Sequence, residues 1–239
     1  MRSLLFVMET GNQKQGTGNR VSAIIVAAGS SRRMGFDKLL APLAGTPVLL
    51  RTLRAFENCS AVDEIIVVAG GEVAASVDRW KSELAKLKCV VEGGAQRHLS
   101  VWNGLNAVSP QAEIVAVHDG GRPLITSEQI AKCVAGAREM EAIACARPVT
   151  ETLKRADAAG CIAESIDRAG AWIMETPQVF KRDLLVRAYE KVMREHLLVT
   201  DEVSAVQALG SRVHVIENTA PNLKITFPAD LALAEKLLA

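Results

Sequence analysis

The sequence predicts an α/β fold in which a mostly parallel sheet is flanked by helices, and three observations carry that expectation. Short apolar runs, Ala23-Ile24-Ile25-Val26 first among them, lack the polar alternation of a strand with one wet face and match strands buried on both faces. Amphipathic stretches of about three turns separate these runs, which is the rhythm of a sheet built by crossover connections. Three runs also end in loops that hold Gly and Arg together: Gly29 with Arg32 and Arg33, Gly93 and Gly94 with Arg97, and Gly120 and Gly121 with Arg122. Loops at the carboxyl ends of parallel strands are where such folds bind ligands.

The first run passes directly into Ala27-Ala28-Gly29-Ser30-Ser31-Arg32-Arg33-Met34-Gly35, with Lys38 just beyond. Small residues let the backbone approach a ligand, and N–H groups in such a turn converge on an anion. Followed by three cations, the stretch suits a polyphosphate held while one phosphorus is attacked. Neither the G-x-G-x-x-G spacing of a dinucleotide fold nor the G-x-x-x-x-G-K-[ST] spacing of an ATPase loop is present here.

Leu49, Leu53 and Phe56 then mark a helix opened by Pro47, and residues 64–68 form the next strand. Val73, Val77, Trp80, Leu84 and Leu87 recur as one long helical stripe in which Trp80 is a core residue. A short strand at residues 89–91 precedes a helix with Ser100 in its first turn and Val101, Leu105 and Val108 on its buried face. Residues 114–117 form a fourth strand, closed by His118 and Asp119. Thr126 with Gln129 reads as a capping box for a helix that buries Ile130, Val134 and Ala137, and residues 142–146 form a fifth strand.

From Pro148 to Trp172 the rhythm fails, and residues 152–155 and 162–168 read as two extended pieces around a turn near Ala159-Gly160. A helix lined by Leu185, Ala188, Val192 and His196 follows, then a shorter one at Val203 and Val206, and a strand at residues 213–216. Pro228 opens a last helix with Leu231, Ala234 and Leu238 inward. We expect one domain over residues 21–239 with an excursion at about 148–172, preceded by a flexible extension over residues 1–20.

The bulk numbers restrict the function. A formal net charge of +1 argues against a nucleic-acid backbone as main partner, so any basic function is local. No apolar run approaches the roughly 18 residues of a membrane span, and Leu4-Leu5-Phe6-Val7-Met8 is too short for the core of a signal peptide. The 5 cysteines never form a C-x-x-C pair and read as free thiols in a reducing, cytoplasmic setting.

A nucleotidyl transfer needs a cradle for the triphosphate, cations at the α-phosphorus, a carboxylate near the metal and a second cationic pocket for the attacking phosphate. The cradle is residues 27–35 and the cations are Arg33 and Lys38, while Gly29 and Arg97 belong to the nucleotide loops. Asp119, at the end of a buried strand, is placed to meet Mg²⁺, which takes one or two protein carboxylates plus phosphate oxygens. His118 is assigned a structural role, because a phosphate nucleophile is ionised near neutral pH and needs no general base. His98, His196 and His214 form no metal-ligand spacing, and no G-x-S-x-G motif announces a serine nucleophile.

Eight separated motifs then resemble one family: V-A-A-G-S-S-R-R-M-G with Lys38, G-G-A-Q-R-H-L-S-V-W-N-G-L, V-H-D-G-G-R-P, T-L-K-R, I-D-R, T-P-Q-V-F, T-D-E-V-S-A and N-L-K-I-T-F-P-A-D-L-A-L-A-E. From about Val21 onward the chain is similar to the 2-C-methyl-D-erythritol 4-phosphate cytidylyltransferases. The resemblance implies transfer of CMP from CTP to the sugar phosphate, with pyrophosphate released, in the non-mevalonate route to isoprenoid precursors. It implies a Rossmann-like sheet of the nucleotide-diphospho-sugar transferase type, with a projecting β-arm and a homodimer formed through that arm. It makes Arg33 and Lys38 the transition-state stabilisers and gives Arg168, Lys224 and Thr152 to the sugar phosphate. Ala27, Ala28, Gly94, Ser100, Asp119 and Gly120 would surround CTP.

The chain departs from the family at Val26, where Pro is frequent, Ser31, where Gly is, Asp37, where Pro is, and Gly120-Gly121, where Ala-Ala is common. These changes bear on affinity and loop rigidity more than on reaction class. The rival readings are a cytidylyltransferase for another polyol phosphate such as ribitol 5-phosphate, a nucleotide-binding regulatory module without turnover, and an NAD oxidoreductase. The extended excursion and N-L-K-I-T disfavour the first, the Arg33 and Lys38 pair disfavours the second, and the missing glycine fingerprint disfavours the third.

Overall fold

The computed structural model describes residues 20–29 and 36–238. The expected extension over residues 1–20 lies outside the described residues except for Arg20, which already belongs to the first strand. Arg32 and Arg33 also lie outside them.

The amino-terminal half comprises β1 (Arg20–Val26), β2 (Pro42–Leu43), β3 (Thr46–Pro47), α1 (Val48–Glu57), β4 (Glu64–Val68), α2 (Gly71–Arg79), β5 (Leu87–Val91), α3 (Arg97–Asn106) and β6 (Ala112–Asp119). There follow α4 (Ser127–Met140), β7 (Ala142–Pro148), β8 (Leu153–Ala156), β9 (Ile162–Ile166) and β10 (Trp172–Lys181). The chain ends with α5 (Arg182–Arg194), α6 (Glu202–Gln207), β11 (His214–Glu217) and α7 (Pro228–Leu238). Seven strands form one sheet in the order β11-β7-β10-β6-β1-β4-β5, parallel throughout except for β10, which runs antiparallel to both β6 and β7.

β1 shows why its run is uniformly apolar. Successive side chains of a strand point to opposite faces. Val21, Ala23 and Ile25 enter one layer with Leu49, Leu53 and Phe56 of α1 and Ile130 and Val134 of α4. Ile24 enters the other, with Val101 and Leu105 of α3 and Leu185, Ala188 and Tyr189 of α5. Both layers are apolar and buried, so neither face can take a polar residue without a partner.

Several local expectations are corrected. The stripe from Val73 to Leu87 is not one helix: α2 ends at Arg79, a 3-10 turn spans Lys81–Glu83, and Leu87 opens β5 opposite Ile65. Trp80, Leu84 and Leu87 meet the same apolar layer from a turn and a strand as they would from a helix, so periodicity could not separate the two. α5 stops at Arg194, and His196 lies beyond it, exposed and at φ +51°, instead of on the helix face. Leu238 is 40% exposed, leaving Ala234 as the fully buried contact of α7. Thr126 does cap α4, its hydroxyl accepting from the Gln129 N–H at 3.2 Å, but the Gln129 side chain turns to the sulfurs of Cys133 and Cys145 and leaves the box half made.

The largest omission is β10. Its sequence, W-I-M-E-T-P-Q-V-F-K, breaks the apolar run with Glu175, Thr176, Pro177 and Gln178, yet residues 175–178 are buried. Pro177 cannot donate to a ladder, and pairing with β7 shifts register between Met174 and Gln178. The polar side chains are buried because each finds a partner at the site described next. Ahead of β10, β8 and β9 pair among the described residues only with each other, as a small antiparallel sheet beside the large one.

Candidate active site

The carboxyl ends of β1, β4, β5 and β6 come to one edge, where short hydrogen bonds tie their loops together. The Ala27 N–H donates to the Val68 carbonyl at 2.8 Å, and the Gly120 N–H to the Val26 carbonyl at 2.9 Å. A Cβ placed on Gly93 would lie 2.2 Å from that of Ala28, so the first and third loops meet at a distance that only glycine permits. The Gly94 N–H donates to the Ser100 hydroxyl at 3.0 Å. Ala27, Ala28, Gly94, Ser100 and Gly120 therefore line one edge, and Gly29 follows Ala28 in the same loop.

Lys38 reaches the same edge. Asp37 accepts from the Leu39 N–H at 2.9 Å, an Asx turn that fixes the backbone around Lys38 where a proline would otherwise stiffen it. The Lys38 Nζ donates to the Ile225 carbonyl at 2.6 Å, bridging 187 residues of chain. The Ile225 N–H in turn donates to the Gly121 carbonyl at 2.8 Å, which brings the segment carrying Lys224 against the loop after β6.

Asp119 is the electrostatic centre. Its Oδ1 takes Arg97 at 3.3 Å, and its Oδ2 takes Lys224 at 2.8 Å and lies 3.6 Å from Arg122 Nε. Burial alone would raise its pKa, but Arg97, Lys224 and Arg122 outweigh burial and hold the carboxyl well below the usual carboxylate range. Arg97 also forks onto Glu202, through Nη1 at 2.7 Å and Nη2 at 3.2 Å. Burial works against its charge, but Glu202 and Asp119 together hold the guanidinium above its ordinary range.

His118 is fully buried, with one ring nitrogen 3.0 Å from the Thr176 hydroxyl and the other 3.4 Å from the Arg122 carbonyl. Burial pushes its pKa down to about 3, and Arg122 and Lys224 add to the effect against Asp119. It is therefore neutral near pH 7. β10 supplies the surrounding polar groups: Glu175 accepts from Asn218 and Asn222, while Gln178 donates to Asp201 and accepts from the Val203 N–H.

The structure thus brings Lys38, Arg97, Asp119 and Lys224 to one place. It leaves Thr152 and Arg168 exposed beside the β8–β9 arm, where Arg168 donates to the Thr150 carbonyl. Sequence reasoning passed over Glu202, Glu175 and Asn222. The only available signal for Glu202 was a charged residue inside T-D-E-V-S-A, at a helix start whose cap is the preceding Asp201.

Among the described residues no group of three or more His, Cys, Asp or Glu side chains could hold a metal ion unaided. Asp119 offers one ionised hard oxygen donor, and Glu202 is committed to Arg97 and to Tyr189, whose hydroxyl donates to it at 3.0 Å. A single carboxylate fits a metal that arrives with phosphate oxygens and keeps several waters.

The model of the 2-C-methyl-D-erythritol 4-phosphate cytidylyltransferase family matches residues 21–239. A protein of that name from Symbiobacterium thermophilum is 42% identical over 220 residues, covering 91% of this chain and 92% of its own. Another from Caldanaerobacter subterraneus subsp. tengcongensis is 39% identical, covering 91% and 98%. Among solved structures, the 4-diphosphocytidyl-2C-methyl-D-erythritol synthase of Anaerococcus prevotii superposes with a TM-score of 0.82 at 30% identity, over 92% of this chain and 96% of that one. The cytidylyltransferase of Thermus thermophilus gives 0.77 at 32% identity, over 91% and 98%.

Proposed function

The chain belongs to the 2-C-methyl-D-erythritol 4-phosphate cytidylyltransferase family, and we propose that the cluster of Arg97, Asp119 and Lys224 beside Lys38 is where its two substrates meet. It transfers CMP from CTP to 2-C-methyl-D-erythritol 4-phosphate and releases pyrophosphate, a step of the non-mevalonate route to isoprenoid precursors. A phosphate oxygen of the sugar attacks the α-phosphorus of CTP. The new P–O bond forms as the bond to the β-phosphate breaks, and pyrophosphate departs with the electron pair. No proton has to move first, which agrees with a neutral, buried His118.

In this reading Ala27, Ala28, Gly29, Gly94, Ser100 and Gly120 receive the nucleotide, with Arg97 and Asp119 on its flank. Lys38, together with Arg33, meets the charge that grows at the α-phosphate, where a fixed cation is worth more than in water. Lys224 holds the incoming phosphate with Arg168 and Thr152. Nucleotidyltransferases of this kind generally use a divalent metal, and we take it to be Mg²⁺ held by Asp119. When bound, Mg²⁺ offsets the charge of the triphosphate.

Residues 21–239 are taken as one domain whose arm seats on a second copy, because an isolated two-stranded hairpin is marginally stable in water. Ile162 on the arm is 66% exposed, a contact that a two-fold partner would cover. No helix among the described residues is long and apolar enough to cross a membrane, and we place the enzyme in the cytoplasm.

The observation that carries the assignment of the site is that Lys38 and Lys224, from opposite ends of the chain, converge with Asp119 at the cradle edge. Pyrophosphate release is the test. It should require Mg²⁺, CTP and methylerythritol phosphate together, and either substrate alone should give almost none. Faster turnover of ribitol 5-phosphate would move the substrate assignment to that relative.

A further inference from the structure

Glu202 has no part in the reaction as derived above, yet it is fully buried beside the site. It sits in the first turn of α6, whose amino terminus is fixed by Asp201 accepting from the Ser204 N–H at 2.9 Å. Its Oε1 takes Arg97 at 2.7 Å and the Tyr189 hydroxyl at 3.0 Å, and its Oε2 takes Arg97 at 3.2 Å. The other edge of the same guanidinium lies 3.3 Å from Asp119 Oδ1 through both Nε and Nη2. Arg97 is therefore a rigid planar spacer between a buried carboxylate and the carboxylate of the site, with its shortest bond on the buried side. A buried guanidinium with one carboxylate to face would close on it. With two, it is anchored at Glu202 and only leans on Asp119.

We propose that Glu202 is a positioning residue of the nucleotide half of the site: by anchoring Arg97 it keeps Asp119 aimed yet available to the metal-bound nucleotide, and so sets affinity for CTP more than for the sugar phosphate. The proposal rests on the reading that Asp119 lies beside CTP. The competing explanation is that Glu202 only staples α6 to α3. Two variants separate charge from shape. Glu202→Gln keeps the shape and removes the charge, whereas Glu202→Asp keeps the charge and shortens the arm. A positioning charge ranks Asp nearer the wild type than Gln; a packing staple ranks Gln nearer than Asp.

The experiment measures pyrophosphate release at saturating Mg²⁺, varying CTP and methylerythritol phosphate separately. Losing the charge on one hydrogen-bonded partner of Arg97 should raise the KM for CTP about tenfold in Glu202→Gln. The KM for the sugar phosphate should stay within about twofold, and Glu202→Asp should recover most of the loss. In an Arg97→Gln background the Glu202→Gln effect should vanish, since the route runs through Arg97. Should Glu202→Gln fail to fold, Tyr189→Phe removes one hydrogen bond to Glu202 and keeps the ring stacked 6.3 Å from Trp102. Losing a hydrogen bond that only supports the Glu202 carboxylate should matter less than losing its charge, roughly fivefold in the KM for CTP. The proposal is overturned by Gln outperforming Asp, by equal rises in both KM values, by an undiminished effect without Arg97, or by an unchanged Tyr189→Phe. A wild-type chain that released no pyrophosphate from these substrates would instead overturn the functional reading beneath it.

Discussion

Replacing His118 with glutamine should flatten the acid limb of the stability curve. The folded chain holds this imidazole neutral down to about pH 3, while an unfolded histidine takes up a proton near pH 6.5. Below pH 6.5 the unfolded state therefore binds one more proton than the native state, and stability falls as pH falls until the folded group titrates. The groups facing the ring enforce this. Burial is the largest, Arg122 and Lys224 oppose a second positive charge, and Asp119 favours it without prevailing. Phe56 covers the ring at 5.0 Å between centroids. At 1.36 kcal/mol per pH unit, the loss attributable to this one group between pH 7.5 and 5.0 is about 2 kcal/mol. Urea midpoints measured at both pH values and one protein concentration should show wild type losing about 2 kcal/mol more than His118→Gln over that interval. Glutamine lowers stability at both pH values, but only the difference bears on the reasoning. Equal losses in the two chains would refute it, as would an imidazole proton spectrum of the native wild type that titrates near pH 6.

Three further outcomes concern the site's cations, and a fourth its glycine pair. Lys38→Ala should lower kcat by on the order of 10²–10³ with a smaller change in CTP binding, because charge at the α-phosphate grows only in the transition state. Lys224→Ala should raise the KM for methylerythritol phosphate, and an unaltered KM would remove its assigned role. In a co-expressed mixture of Lys38→Ala and Arg168→Ala chains, an arm that reaches across the dimer leaves one intact site in each mixed dimer, so roughly a quarter of wild-type activity should return; confirmed mixed dimers with only residual activity would place Arg168 in its own chain's site. Gly121→Ala should be accepted, since the added Cβ meets its nearest atoms at 3.6–3.7 Å, Lys38 Nζ among them, and a melting temperature below wild type would contradict that.

What was legible in the chain was what local chemistry fixes alone. Ala23 to Val26 could only be a doubly buried strand, and the Gly-Arg loops had to lie at strand ends. Asp119 could be singled out because it closes such a strand. β10 was illegible because Glu175, Thr176 and Gln178 are polar, and their burial depends on Asn218, Asn222, His118 and Asp201, residues far off in sequence. Glu202 escaped for the same reason: its partner Arg97 lies 105 residues away. Trp80, Leu84 and Leu87 misled in the opposite direction, because a helix, a turn and a strand can all present apolar side chains to one layer.

The bond between Lys38 and the Ile225 carbonyl also has a consequence for synthesis. Those residues are 187 positions apart, and at about 5–20 residues per second a ribosome needs roughly ten to forty seconds to pass from one to the other. By the second half of that interval the cradle, Asp119 and strands β1, β4, β5 and β6 already exist in the emerging chain. What is missing is the segment that gives Lys38 its acceptor, Asp119 its lysine and Arg122 the Asn222 carbonyl at 2.8 Å. If Lys224 seats the acceptor phosphate as proposed above, a nascent or prematurely ended chain carries the loop after β1 without that second cation. Chains stopped short of Lys224 should then release little pyrophosphate from CTP and methylerythritol phosphate.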